Sequence, residues 1–290
     1  MTDRKRAVAL GLFDGVHLGH RTVVAKAAAM AENGFIPSVF TFDSGSMPVK
    51  QGRSIGYIYA DGYKEKLLRG LGIIDVISED FSELKELSGE EFVKNVLIGQ
   101  LDTGYIVCGR DFRFGRNAAC GVKELAALGE RYGIITETAD DVVCEGEKVS
   151  SRRIRQLLSE GDVSGAEELL GGSYIIADKV REGNRIGRTI GFPTINQHFR
   201  EGQLVPRAGV YATFTTVGGR TYDSITDIGV KPTVGGESSP LAETHILGFD
   251  GDIYGLEAEV GFRRFIRPEM RFGSLDELKK QIESDVNDLR

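Results

Sequence analysis

Short apolar runs alternate with segments of helical periodicity in the first part of the chain, up to about residue 172. Residues 7–13 form a continuous apolar run, as expected for a strand that is covered on both faces. An alanine-rich helical segment follows at 18–32, with Gly34 as its C-terminal cap, and residues 37–42 form the next apolar run. These elements predict a βαβ unit with parallel strands. The alternation continues and predicts helices near 62–71, 89–98 and 122–132 and strands near 75–77, 105–108 and 134–138.

The pattern changes to short strands after a pair of helical segments. Ser150 or Ser151 can cap a helix that breaks at 161–162, and a second short helix at 163–170 ends at two glycines. Beyond them the pattern predicts strands at 174–180, 209–216, 220–228, 243–249 and 256–265.

Glycine-containing turns indicate how these short strands connect. Gly218-Gly219 suits a tight hairpin, and Gly251-Asp252 suits another. Several antiparallel strands with such turns predict a small barrel, because closure removes exposed edges. Ser274 and Glu277 have the spacing of a capping box and start a final helix. We expect the apolar stripe of this helix to pack against the barrel: Leu275, Leu278, Ile282, Val286 and Leu289.

The expected fold is therefore α/β followed by β. Residues 1–172 should form a domain with a parallel sheet and helices, and residues 173–290 a small antiparallel β-barrel with a C-terminal helix.

Composition is that of a soluble globular protein, with 41% hydrophobic and 27% charged residues in 290. The net charge of −7 argues against a nucleic-acid partner. The sequence has no apolar stretch long enough for a membrane span, and its three cysteines lack metal spacing, so we expect a reduced, cytoplasmic protein without structural zinc. The oligomeric state is not predictable from these numbers.

The first glycine-rich segment, residues 11–20, lies where a buried strand ends and a helix opens. Free backbone N–H groups and the helix dipole favour an anion at such a place. His17 and His20 are three residues apart, so one helical face can present both to a polyphosphate. The alternative is two surface histidines at a helix start. Two of the chain's four histidines within this turn make that alternative weak.

The second glycine-rich segment has Gly183, Gly187 and Gly191 at intervals of four residues. Alone it could be a mobile hairpin. Pro193 stiffens the continuation, and Thr194 and Asn196, two residues apart on an extended segment, point to the same side. Their oxygens suit a hard cation such as Mg²⁺ or a phosphate.

The first segment, Gly-Leu-Phe-Asp-Gly-Val-His-Leu-Gly-His at 11–20, resembles the His-x-Gly-His signature of nucleotidyltransferases, in the form found in bacterial bifunctional riboflavin kinase/FAD synthetases. Segments 109–115, 149–155 and 161–171 are similar to motifs of that family in order and spacing. Pro-Thr-Ile-Asn at 193–196 resembles the Pro-Thr-Ala-Asn motif of riboflavin kinases, and the strand that opens at Glu243 resembles their Glu-x-His-Ile segment.

The resemblance implies a Rossmann-like FMN adenylyltransferase domain at 1–172, in which His17 and His20 are catalytic. The residues implied to bind ATP there are Gly11, Phe13, Asp14, Gly15, Gly19, Asp111, Ser150, Ser151 and Arg155.

For a riboflavin kinase domain at 173–290, the resemblance implies that Glu243 is the general base and that Thr194 and Asn196 hold Mg²⁺. Without the resemblance, a solvent-facing strand glutamate would be the better interpretation of Glu243. The residues implied to bind substrate are Gly183, Gly187, Arg188, Gly191, Pro193, Asn196 and Arg271, with Arg267 also bordering the site.

The implied function is phosphorylation of riboflavin by ATP to FMN, then adenylylation of FMN to FAD with release of pyrophosphate. Mg²⁺, ATP and flavins are the cofactor, co-substrate and substrates, and no macromolecular partner is implied. Two departures from the family pattern motivate an alternative: Arg152 stands where the family has threonine, and Ser44-Gly45-Ser46 follows Asp43 where the family has Pro-His-Pro. The alternative is a riboflavin kinase whose first domain is impaired or regulatory. A flavin-binding protein without turnover and a nucleotidyltransferase for another acceptor are further hypotheses.

Overall fold

The structure is a computed structural model that describes residues 4–46, 56–182, 186–232 and 238–289. The chain divides into two compact units, Met1–Ser151 and Arg152–Arg290.

A five-stranded parallel sheet forms the centre of the first unit, with strand order β3-β2-β1-β4-β5. Its strands are β1 Arg6–Leu10, β2 Ile36–Phe42, β3 Asp75–Glu79, β4 Thr103–Gly109 and β5 Ile135–Ala139. Two short strands later in this unit, β6 Val143–Cys144 and β7 Glu147–Lys148, pair with each other in a separate antiparallel ribbon. The chain builds outward from β1 on one side and then returns to add β4 on the other side. The carboxyl ends of β1 and β4 therefore flank the point where the strand order reverses, which is where open α/β sheets bind ligands.

Helices cover both faces of this sheet. They are α1 Leu18–Ala29, which continues as a 3₁₀ turn at Met30–Asn33, α2 Asp61–Gly70, α3 Phe81–Leu84, α4 Gly89–Glu91, which continues as a π-helix at Phe92–Gln100, and α5 Val122–Tyr132. Ala7 and Ala9 of β1 belong to one core and Val8 and Leu10 to another. This alternation confirms the expected parallel sheet with helices and explains why residues 7–10 of β1 are all apolar.

The second unit begins with α6 Ser151–Glu160, whose first residue closes the first unit, and α7 Val163–Leu170. A six-stranded antiparallel sheet follows, with strand order β8-β13-β10-β11-β12-β9. Its strands are β8 Tyr174–Lys179, β9 Thr194–His198, β10 Gly209–Val217, β11 Arg220–Pro232, β12 Ser238–Ile246 and β13 Glu257–Arg267. A short helix, α8 Ile186–Thr189, lies between β8 and β9, and α9 Leu275–Asn287 ends the chain.

The sheet curls until its two edges meet. Just after β8, the Arg181 backbone N–H donates to the carbonyl of Asn196 in β9 at 2.9 Å. The buried Gln197 amide donates to the carbonyls of Asp178 and Ala258 at 2.9 and 2.8 Å, so one side chain links β9 to β8 and β13 across the interior. The expected antiparallel barrel with a C-terminal helix is confirmed.

One of the two predicted hairpins forms. Gly218 and Gly219 have φ of 57° and 76° between the paired residues Val217 and Arg220, which is the two-residue turn that matches strand twist. The prediction of a hairpin at Gly251-Asp252 is wrong. Strands β12 and β13 are separated by β10 and β11 in the sheet, so this connection crosses between non-adjacent strands.

The final helix begins as predicted but differs in detail. The Ser274 hydroxyl accepts the Glu277 N–H at 3.2 Å, whereas the Glu277 carboxylate accepts the Gly273 N–H at 2.8 Å, so the reciprocal half of the capping box shifts by one residue. Leu275 of the predicted apolar stripe is exposed, and the buried residue of α9 is Asp285.

The two compact units meet after Ser151. The sequence pattern places the boundary between the functional domains at residue 172, and this boundary stays a prediction. Within the described ranges, no helix is long and apolar enough to cross a membrane.

Candidate functional sites

The turn after β1 has an unusual backbone. Phe13 and Val16 have positive φ values of 49° and 41°, and Gly15 between them has φ of 83°. Left-handed conformations at non-glycine residues cost free energy and cluster at ligand sites. The turn therefore holds strain at the carboxyl end of β1, immediately before α1.

Three hydrogen bonds hold this turn in place. The Asp14 carboxylate accepts the Ile58 N–H at 2.7 Å, and the Asp14 carbonyl accepts the Ser151 hydroxyl at 2.8 Å. The Thr41 hydroxyl of β2 donates to the Leu12 carbonyl at 3.0 Å. Asp14 and Ser151, both predicted to bind ATP, thus contact each other through the turn.

His17 and His20 come together, although in a different way from the predicted shared helical face. His17 precedes α1 as its N-cap, and its Nδ1 accepts the backbone N–H of His20 at 3.3 Å. The two rings stack with centroids 3.6 Å apart, and the edge of Phe13 meets His20 at 5.4 Å. Because Nδ1 of His17 is an acceptor, the neutral ring of His17 carries its proton on Nε2.

Burial of the His20 ring, and secondarily the adjacent His17, holds the pKa of His20 well below its usual value of 6.5. At neutral pH His20 is therefore uncharged. Its Nδ1 is buried and has no hydrogen-bond partner within the part of the chain that the structure describes. A buried polar atom of this kind is costly unless a ligand or water contacts it.

Gly11 and Gly19 permit close packing in this loop. A Cβ at Gly11 would lie 3.0 Å from the Phe13 ring, and one at Gly19 would lie 3.2 Å from the His17 ring. At Gly19 the close neighbour in the structure is therefore an imidazole.

The loop after β4 lies beside this turn in the sheet, because β4 pairs with β1. Asp111 is exposed and forms an ion pair with Lys148 at 3.0 Å, and Lys148 also pairs with Asp141 at 2.7 Å. Phe114 from the same loop is buried in the core. The loop is thus anchored by its aromatic residues while its carboxylate faces outward.

Three further predicted ATP contacts belong to one stretch of chain. Ser150 directly precedes α6, Ser151 is its first residue, and Arg155 lies one turn further along. Arg152, the departure from the family pattern, is exposed on the same helix.

The loop after Asp43, the second departure, is described only as far as Ser46. Ser44 donates from its backbone and its hydroxyl to the Asp61 carboxylate, at 3.2 and 2.7 Å. The buried Lys64 ammonium donates to the Phe42 carbonyl at 3.0 Å and pairs with Asp61 at 2.9 Å. In this chain a serine–aspartate–lysine cluster therefore fixes the start of the loop.

In the second unit, a cavity of about 270 Å³ lies between the sheet and α9. It is lined by Gly187, Ile190, Phe192, Thr194, Asn196, Val210, Ile225, Asp227, Glu243, His245, Arg267, Glu269, Met270, Phe272, Leu278, Ile282 and Asp285. Eight of these residues are apolar and eight are polar or charged, so the cavity combines apolar walls with convergent polar groups, as small-molecule sites do.

Strand register brings the predicted kinase residues together. Glu243 of β12 pairs directly with Asn196 of β9 on one side and with Asp227 of β11 on the other. His245 pairs with Thr194 in the neighbouring row. Side chains two residues apart on a strand share a face, so all five residues point into the cavity that they line.

Three contacts shape the entry to β9. His245 Nδ1 forms a hydrogen bond with the Pro193 carbonyl at 2.8 Å, and the Phe192 ring packs edge-on against His245. The Phe192 N–H donates to the Gly187 carbonyl at 2.8 Å. A Cβ at Gly187 would overlap the Phe192 carbonyl oxygen, so the turn requires glycine here.

Other predicted kinase residues are not placed in the cavity wall. Gly183 lies outside the described residues, and only the backbone of Arg188 is described, within α8. Gly191, Pro193 and Arg271 are exposed near the cavity without lining it among the described residues. Their binding roles stay predictions.

Sequence reasoning missed Asp227, Glu269 and Asp285 in the cavity wall. Asp227 has the same alternation on β11 as Glu243 has on β12, so the register of the two strands would have identified it. Asp285 follows Leu278 and Ile282 at helical spacing, which indicates the same face of α9.

The fold and the two sites define the class of protein: a nucleotidyltransferase-type α/β unit joined to a flavokinase-type barrel. The FAD synthetase family model matches residues 1–153, and the riboflavin kinase family model matches residues 170–290.

Bifunctional riboflavin kinase/FMN adenylyltransferases of several bacteria are similar to this chain along most of their length. That of Listeria monocytogenes is 34% identical over 100% of this chain and 93% of the relative, and that of Haemophilus influenzae is 35% identical over 97% and 92%. The Escherichia coli K12 relative is 34% identical over 95% and 89%. The crystal structure of a macrolide-efflux protein from Streptococcus pneumoniae is 29% identical, with a TM-score of 0.86 over 99% of this chain and 94% of that one.

The chain belongs to the family of bifunctional riboflavin kinases/FMN adenylyltransferases. The family resemblance stated from the sequence motifs is thereby confirmed, as is the expectation of two transferase activities on one chain.

Proposed function

We propose that the second unit phosphorylates riboflavin in the cavity beneath α9 and that the first unit adenylylates FMN at the turn after β1. The observation that carries the first assignment is the register of three strands, which sets Glu243 between Asn196 and Asp227, with Thr194 in the next row.

In the kinase reaction, the 5′-hydroxyl oxygen of riboflavin forms a bond to the γ-phosphorus of ATP. The bond from that phosphorus to the β–γ bridging oxygen breaks, and ADP leaves with the electron pair. The Glu243 carboxylate accepts the hydroxyl proton as a general base. The Asn196 and Glu243 pairing in the sheet fixes the position of this carboxylate without a flexible loop.

Magnesium fits the donor set of this cavity. The Thr194 hydroxyl, the Asn196 amide oxygen and the Glu243 carboxylate are hard oxygen donors on one face of the sheet. Thr194 and Asn196 would hold the ion, which supplies positive charge to the phosphates of ATP.

In the adenylyl transfer, an FMN phosphate oxygen forms a bond to the α-phosphorus of ATP, and the bond to the departing pyrophosphate breaks. The attacking group is already an anion, so this step needs positioning and charge stabilisation more than a base. His17 donates from Nε2, His20 contributes an uncharged ring, and the first turn of α1 presents backbone N–H groups. Asp14 and Ser151 hold the turn, and contacts from Ser150, Arg155 and Asp111 to ATP are part of the same proposal.

The kinase-only alternative rests on Arg152 and on the altered loop after Asp43. The cluster of Ser44, Asp61 and Lys64 supports the bifunctional assignment, because it orders the start of that loop by hydrogen bonds where the family pattern has prolines.

A product assay tests both assignments. The protein is incubated with riboflavin, ATP and Mg²⁺, and FMN and FAD are separated over time; a second incubation starts from FMN. We expect FMN to appear first and FAD to follow, and FAD to form from supplied FMN. Formation of FMN without FAD in both incubations would support the kinase-only alternative, and absence of FMN would contradict the cavity assignment.

We further propose that the substrates are small molecules only, that no nucleic acid takes part, and that the protein acts in the cytoplasm, with residues 1–172 and 173–290 as the functional domains. The net charge of −7 and the absence of a membrane-crossing helix among the described residues support this proposal.

A further inference from the structure

A buried ion pair in the cavity wall joins the end of the sheet to the C-terminal helix. Arg267, the last residue of β13, donates from Nε and Nη2 to the Asp285 carboxylate of α9, at 3.0 and 2.7 Å. The Gln281 amide donates to the same carboxylate at 2.9 Å, and Arg267 Nη1 donates to the Pro268 carbonyl at 3.1 Å. The two-pronged geometry leaves the guanidinium little freedom to rotate.

Asp285 is an exception on its helix. Its side chain is 4% exposed, whereas the other acidic residues of α9 are exposed. A buried carboxylate is costly unless it is paired and hydrogen-bonded, and replacing such a pair with apolar residues commonly costs no stability. A contribution to folding stability is therefore a weak explanation for an ion pair at this position.

Both partners line the cavity that contains Glu243. Arg267 is its only lysine or arginine among the described lining residues, and it faces a cavity with three further carboxylates, at Asp227, Glu243 and Glu269. Leu278, Ile282 and Asp285 follow one another on one face of α9 and form the opposite wall.

Arg267 retains donors for a ligand. The bonds to Asp285 and Pro268 use the Nε proton and one proton on each terminal nitrogen, which leaves one N–H on Nη1 and one on Nη2. Phosphoryl transfer depends on fixed donors directed at the phosphoryl oxygens, because charge redistributes over them in the transition state.

We propose that Asp285 is a positioning residue for riboflavin phosphorylation: it holds the Arg267 guanidinium at the cavity wall, where its remaining N–H groups bind the phosphoryl group in transfer. This inference rests on the proposed location of the kinase reaction beneath α9. It also explains why an ion pair, and not an apolar contact, joins α9 to β13.

The test compares steady-state FMN formation by Asp285→Asn and the parent. Asparagine keeps the shape of the side chain but removes the charge that aligns the guanidinium. We expect kcat to fall at least tenfold with a KM for riboflavin within about twofold, since the effect is made in the transition state. Asp285→Glu, which restores the carboxylate, should recover part of kcat.

Asp223→Asn is the matched control, because it removes an exposed ion pair between Asp223 of β11 and Arg263, which lies on β13 as Arg267 does. It should leave FMN formation unchanged. FAD formation from supplied FMN, measured on every variant, reports whether the rest of the chain is intact.

A double-mutant cycle keeps the test decisive if Asp285→Asn also lowers the Tm. Arg267→Lys alone should lower kcat, and Asp285→Asn in the Arg267→Lys background should cost little more, because the two residues act as one unit. Independent, multiplicative losses, or an unchanged kcat in Asp285→Asn, would overturn the proposal.

Glu243→Gln separates this inference from the location of the kinase site. If Glu243→Gln abolishes FMN formation while Asp285→Asn does not affect it, only the role of Asp285 is wrong. If Glu243→Gln retains activity, the cavity itself is not the kinase site.

Discussion

The two candidate sites of this chain are built in opposite ways. In the first unit, the site is a strained turn, with Phe13, Gly15 and Val16 at positive φ, held between a strand end and a helix start. In the second unit, the site is the regular face of a sheet, with Thr194 and Glu243 in adjacent rows of three paired strands.

This difference follows from what each reaction requires. A polyphosphate is bound well by backbone N–H groups, which a turn at a helix N-terminus exposes and a strand does not. A base and a cation-binding pair must keep fixed distances from a reacting hydroxyl, and strands hold side chains more firmly than loops do. With the sites assigned as proposed, the chain uses local backbone geometry for one transfer and strand register for the other.

The largest expected effect breaks the kinase site alone. Glu243→Gln removes the base while keeping the size of the side chain, and FMN formation should fall roughly 100-fold or more. FAD formation from supplied FMN should remain at the parental rate. Rates of both reactions on one preparation check the prediction, and the exposed strand residue Glu257 provides the control variant Glu257→Gln. Loss of both activities would show that the two sites are not independent.

A pair of substitutions at His17 separates ligand binding from helix capping. His17→Ala removes both the cap of α1 and the imidazole, and should lower stability by about 1 kcal/mol in addition to lowering FAD formation. His17→Asn supplies an alternative cap and should restore stability without restoring FAD formation. Thermal unfolding and an FMN-to-FAD assay measure the two effects. Recovery of activity by asparagine would mean that His17 acts only as a cap.

The smallest expected effect concerns the stability of the first site at different pH. The pKa of His20 is depressed in the folded chain, so the stabilising contribution is fully present above the unfolded pKa of 6.5. As the pH falls below 6.5 toward the folded pKa, the unfolded chain binds a proton that the folded chain does not, and stability is lost. Tm measured between pH 7.5 and 5 should fall less steeply in His20→Gln than in the parent. An equal slope in both proteins would contradict a buried, uncharged His20.

Most of the first unit was predictable because its signals are local. The apolar run of β1, the glycines of the turn and the histidines at the start of α1 follow one another without interruption in the sequence. The stacking of His17 on His20 was not predictable, because it depends on His17 standing outside the helix as its cap.

The second unit shows where local signals fail. Gly251-Asp252 has the composition of a hairpin turn, yet its flanking strands are separated by β10 and β11. The charge of Asp285 suggests an exposed position, yet its pairing with Arg267, eighteen residues earlier, buries it. The first outcome depends on which strands become neighbours and the second on where α9 packs, and turn chemistry and helical periodicity contain no such information.

The amino-acid order alone thus established the succession of an α/β unit and a barrel, the two phosphate-type motifs and the family resemblance, because each is a contiguous pattern of residues. The tertiary structure decided which carboxylates lie near Glu243, how the two imidazoles stack, and that Arg267 lines the cavity of the second unit. Those contacts join residues far apart along the chain, and their positions are set by the register of paired strands and the seating of a terminal helix.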